Sequence, residues 1–132
     1  MRWMRLLVLA VIVGSAGCTQ AEAPPVQRIA VVDVAKLDSI ALQVKEVASR
    51  HGMRVFEKPR ADMRTLNQGV DAIFLALYTG DEQVLVVTNV GHGNKLLLAV
   101  TPKPGFPPAR AEELINEVAD RIEEFTGVAF PD

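Results

Sequence analysis

Between residues 34 and 48, apolar side chains recur three and four positions apart: Val34, Leu37, Ile40, Ala41, Val44, Val47 and Ala48. That period sets them along one face of a helix. Asp33 stands where an N-cap is wanted, and Gly52 where the chain leaves a helix through a left-handed residue. His51, beside it, suits the electronegative C-terminal end of a helix. A helix starting as early as Val26 is the alternative, because Ala30 continues the stripe. The same rhythm returns at Ala111, Leu114, Ile115, Val118, Ile122 and Phe125, predicting a second helix over about 108–126 that Gly127 ends.

Elsewhere the pattern changes to that of strands. "RIAVV", residues 28–32, is β-branched and apolar, and "MRVFEK", residues 53–58, alternates up to Pro59. Residues 59–69 are polar and read as a loop or a short turn of helix. Three strands then come in close order, over 70–78, 83–90 and 95–101. The joints "TGDE" and "GHGN" are short and contain glycine, as antiparallel hairpins require. The predicted order is β-α-β-β-β-β-α. It implies an α+β two-layer sandwich, with two helices on a mixed or antiparallel sheet of four to five strands.

The strands are apolar on both faces. Ile73, Leu75 and Leu77 point one way, and Phe74, Ala76 and Tyr78 the other. Val84 and Val86 oppose Leu85 and Val87, and Leu96, Leu98 and Val100 oppose Leu97 and Ala99. A sheet with one wet face should alternate apolar with polar residues. Either the helices and residues 59–69 cover both faces, or one face stays bare for a partner, a second copy or a lipid.

Before the first helix lies a segment of another kind. "MRWMR" is a basic head, "LLVLAVIVGSAG" an apolar run of 12 residues, and Cys18 the single cysteine. The run is short of the roughly 20 residues a membrane-spanning helix needs. It has the grammar of an export signal. "SAGC" resembles the lipobox of bacterial lipoproteins, with Ala16 and Gly17 as the small residues before the cut. Ser15 stands where that pattern usually has Leu. The resemblance implies cleavage before Cys18, acylation of its thiol and new N-terminus, and anchorage in a bilayer. Thr19, rather than Asp, comes after the cysteine, which in that family implies the periplasmic face of the outer membrane. Ordinary secretion is the rival, because "AEA" ends at Ala23 in another recognisable cut site and would leave a soluble periplasmic protein. An uncleaved N-terminal anchor is a third alternative. The domain reading is a signal peptide over 1–17, a proline-containing tether over 18–27 and one α+β domain over 28–132.

The whole chain has 14 basic and 16 acidic residues. Without Arg2 and Arg5, the exported part has 12 against 16, a net charge of −4. That balance argues against nucleic acid as a partner. It is uneven, however. Arg50, Arg54, Lys58, Arg60 and Arg64 lie close together, while Glu112, Glu113, Glu117, Asp120, Glu123, Glu124 and Asp132 load the C-terminal part. The basic segment either pairs internally or meets an anionic polymer or acidic protein of the envelope.

Candidates for chemistry are few. Gly91, His92 and Gly93 form a loop that suits a hairpin turn or, alternatively, a small ligand. No cysteine pair or H-x-x-x-H spacing suggests a metal, and no cofactor motif occurs. Downstream of the cysteine the serines are Ser39 and Ser49, without a G-x-S-x-G context. The leading expectation is a non-enzymatic, lipid-anchored envelope module that binds or supports a partner. Phe74, Tyr78, Arg54, Lys58, Arg60 and Arg64 are its candidate surface. A soluble periplasmic ligand binder or enzyme built on His92 is one alternative. A secreted inhibitor or immunity-type module is the other.

Overall fold

Pro59 lacks an N–H and cannot extend a strand ladder. In the computed structural model, which describes residues 24–90 and 94–131, the strand before it, β2, is short. It covers Arg54–Glu57, and Lys58 makes the last backbone bond across to Phe74. Its neighbour β3 accordingly runs over Phe74–Thr79 rather than from residue 70. Between them, Arg60–Leu66 forms a short helix, α2, where the sequence reads as loop or helical turn.

The other elements are β1 (Val26–Val31), α1 (Leu37–Arg50), β4 (Glu82–Val90), β5 (Lys95–Val100) and α3 (Pro108–Thr126). A 3-10 turn over Val34–Lys36 precedes α1, and the Asp33 carboxylate accepts the Ala35 N–H. Over the described residues the order is thus β-α-β-α-β-β-β-α, with one helix more than expected there. The sheet is antiparallel throughout, in the order β1-β5-β4-β3-β2. Helix α1 therefore connects the two edge strands. Gly127, at a φ of 80°, ends α3 in the left-handed region and donates its N–H to the Glu123 carbonyl.

Both long helices lie on one face of the sheet. Helix α3 packs against β1 and β5, and α1 against α3 and β2. Leu37, Ile40, Val44 and Val47 of α1 share one core with Leu114, Ile115, Val118 and Ile122 of α3. Beneath them lie Leu75 and Leu77 of β3, Leu85 and Val87 of β4, and Leu96, Leu98 and Val100 of β5. Among the described residues, the core runs from Ala30 to Phe130.

Strand β4 departs from simple alternation. Leu77 pairs with Leu85, but Tyr78 pairs with Gln83, so Val84 is the extra residue of a bulge. The bulge turns Val84 into the core together with Leu85, instead of facing it the other way with Val86.

Candidate functional site

The second face of the sheet is the candidate site. Directly opposed residues share a face, so the register writes out its rows. Phe56, Ala76, Val86, Ala99 and Gln27 form one row across all five strands. Phe74, Thr88, Leu97 and Ile29 form the next, and Val90, Lys95 and Val31 a third. Arg54, Tyr78 and Gln83 form a row on the other side of the first.

These side chains do not belong to the shared core. Phe56 and Ile29 are each 45% exposed and Val31 is 74% exposed. Phe74, Tyr78, Val86, Leu97 and Ala99 are half-buried among their neighbours, and Ala76, the smallest, is fully buried. Phe56 and Phe74 meet edge to face with ring centres 6.3 Å apart. Other exposed apolar side chains, such as Leu42 and Leu66, stand on helices, and scattered singles are ordinary. The sheet face differs in being contiguous.

Its charge is of one sign. Arg54 stacks over the Tyr78 ring at 4.6 Å and donates to the Gly80 carbonyl. Lys58 comes after Phe56 on the same face and lies opposite Phe74. Lys95 starts β5 between Val90 and Val31. None of these four rows contains a carboxylate. Glu57, between Phe56 and Lys58, points to the helix side and pairs with Lys45 at 2.6 Å.

The rest of the basic segment has other duties. Arg60 donates through Nε and Nη2 to the two carboxylate oxygens of Asp71, and through Nη1 to Asp38. Arg64 reaches Asp71 at 3.5 Å. The Arg60 guanidinium holds the Asp71 carboxyl below its ordinary range, against the opposing effect of burial. Arg50 and His51 both reach Glu117 of α3, at 3.6 and 2.8 Å. Arg60 and Arg64 are thus brought into an internal cluster at the start of α2, whereas Arg54 and Lys58 join Phe74 and Tyr78 on the sheet face.

Sequence reasoning missed Lys95, Phe56 and Ile29 as members of this face. The signal was present as strand parity, but only the cross-strand register tells which parity of each strand faces the same way. Cys18, Ala23 and the Gly91, His92 and Gly93 loop lie outside the described residues.

A shallow cleft of about 570 Å³ runs along α3 between Arg50, Glu113, Glu117 and Arg121. Its charges are mixed and partly satisfied within the helix pair, as in Arg121 with Gln43 at 2.8 Å. Among the described residues no group of three or more His, Cys, Asp or Glu could hold a metal, and no helix is long and apolar enough to cross a membrane. Compared with protein-family models, curated proteins and solved structures, the chain matches none.

Proposed function

We propose that this protein is a lipid-anchored module of the bacterial envelope, without catalytic activity of its own, that binds through the sheet face opposite its two long helices. The observation that carries the reading is that face: a contiguous apolar surface spanning five strands, fringed by Arg54, Lys58 and Lys95. Chains rarely leave such a surface to water without a use for it. The segment ending in "SAGC" supplies the anchor, with Cys18 as the acylated residue. Two or more acyl chains hold firmly, because each buried CH₂ contributes about 0.8 kcal/mol. Residues 19–25 then tie the acylated end to β1, an edge strand of the same sheet.

Metabolic labelling with a fatty acid tests the anchor. The wild-type chain takes up label and partitions with membranes, and Cys18→Ser takes up none. Equal labelling of the two, or a mature N-terminus after Ala23, overturns the anchor.

A further inference from the structure

We infer that the sheet face opposite the two long helices, which no described element covers, docks onto an anionic lipid surface. The inference deepens the proposed function by naming what the face binds. It draws on the anchor reading only for the tether, and on the sheet itself for its chemistry.

Three observations select a bilayer over other occupants. The first is the sign of the charge. Arg54 and Lys58 border the face along β2, and Lys95 borders it at the start of β5. No carboxylate among the described residues pairs with any of them. Each cation near an anionic leaflet favours binding, and the attraction fades within a Debye length. A second copy of the chain is less well matched, since a face holding only cations offers its twin no partner for them.

The second is a run of acid on the far side. Glu112, Glu113, Glu117, Asp120, Glu123 and Glu124 all belong to α3, which covers the opposite face of the sheet. An anionic surface repels that side and attracts the other, so the domain has one favoured orientation. Phe56, Ile29 and Val31 then meet the acyl boundary, and Tyr78 sits at headgroup level with Arg54 stacked on it.

The third is reach. Cys18 lies eight positions before Val26, where β1 begins. Eight extended residues span at most about 28 Å. A domain acylated at Cys18 cannot move its sheet far from the bilayer, and the face meets lipid at high effective concentration.

The test uses the chain from Thr19 to Asp132, which lacks the acylated cysteine and keeps every described core residue. It is sedimented with vesicles of phosphatidylcholine, with and without phosphatidylglycerol. The expected result is binding to the anionic vesicles, with little to the neutral ones. Lys58→Gln weakens it by about fivefold, and Arg54→Gln, Lys58→Gln and Lys95→Gln together by about a hundredfold. Phe56→Ser weakens it too, while Leu42→Ser, on the exposed side of α1, binds like wild type. Thermal melts check that each variant is folded, and Lys58→Gln carries the test alone if Phe56→Ser is not.

Equal binding to both vesicle types overturns the inference, as do lysine and arginine variants that bind like wild type. Self-association abolished by Phe56→Ser, with no vesicle binding, assigns the face to a second copy instead. Binding to an acidic envelope protein, without vesicle binding, assigns it to a protein. Because this chain carries no Cys18, these failures leave the anchor standing, and a failure of fatty-acid labelling leaves the face standing.

Discussion

Arg60 and Asp71 meet through two parallel hydrogen bonds, from Nε and Nη2 of the guanidinium to the two oxygens of the carboxylate. Arg60 also reaches Asp38 in the first turn of α1. One side chain of α2 thereby ties the lead-in of β3 to the start of α1. Asp71 further accepts the N–H of Ala72, which fixes the chain just before β3 begins.

This pair makes stability depend on acid. The Asp71 carboxyl is held below its usual value, chiefly by the hydrogen bonds from Arg60. The carboxylate therefore stabilises the fold fully above the unfolded value of about 3.9, and the contribution is lost as pH falls through the lowered value. Both side chains are partly in solvent, so Arg60→Ala should cost roughly 1 kcal/mol at neutral pH. Denaturant melts of wild type and Asp71→Asn should converge on acidification. A gap that stays constant from neutral pH to well below about 4 contradicts the assignment.

The two faces of the sheet should answer substitution differently. Leu98→Ala and Leu85→Ala empty space beneath the helices and should each cost about 2–5 kcal/mol. Val31→Thr and Ile29→Thr, on the face opposite the long helices, should change stability by no more than about 0.5 kcal/mol. Urea midpoints decide the matter. Comparable losses on both faces would mean that the second face is covered.

Gly127 offers a test of backbone conformation alone. Beyond its chain neighbours, a Cβ built there would meet only Lys36 Nζ, at 3.7 Å, among the described residues. No clash opposes Gly127→Ala, but its φ of 80° does. The substitution should cost about 1 kcal/mol, from the strain of a side chain in the left-handed region. Gly127→Asn should recover part of that loss, since asparagine tolerates this region better.

The C-terminal tail is held from β1. Arg28 donates to the Phe130 carbonyl at 2.6 Å and to the Asn116 side chain at 2.9 Å. Arg28→Met keeps the apolar stem and removes the donors. Amide exchange over residues 127–130 should then accelerate, with little change at Leu75 or Leu77 in the sheet centre. Unchanged exchange in the tail would place its anchor in Val128 and Phe130 burial instead.

Much of this architecture is legible in the residues. The stripes at Leu37–Ala48 and Ala111–Ile122 define both long helices because a helical period has one apolar side. Gly52 and Gly127 mark their C-terminal ends, and Asp33 caps the 3-10 turn that leads into the first, through local hydrogen bonding and backbone freedom that need no distant partner. The succession of three strands read over 70–78, 83–90 and 95–101 rests on apolar runs and short glycine-containing joints, and the strands form over 74–79, 82–90 and 95–100. The candidate residues Phe74, Tyr78, Arg54 and Lys58 were open to the same local reading.

Tertiary structure alone decided the remainder. Two apolar parities on each strand are equivalent until helices settle on one of them, and both α1 and α3 settled on the face of Leu75, Leu85 and Leu98. The bulge at Val84 reverses parity in a way that no periodicity announces. Arg60 and Arg64 looked equal to Arg54 and Lys58 as surface cations until the fold carried Asp71 and Asp38 to Arg60. The physical reason is common to all three. Local sequence sets which conformation a segment prefers, whereas the side of a sheet that is covered, and the charge that is neutralised, depend on segments far away along the chain.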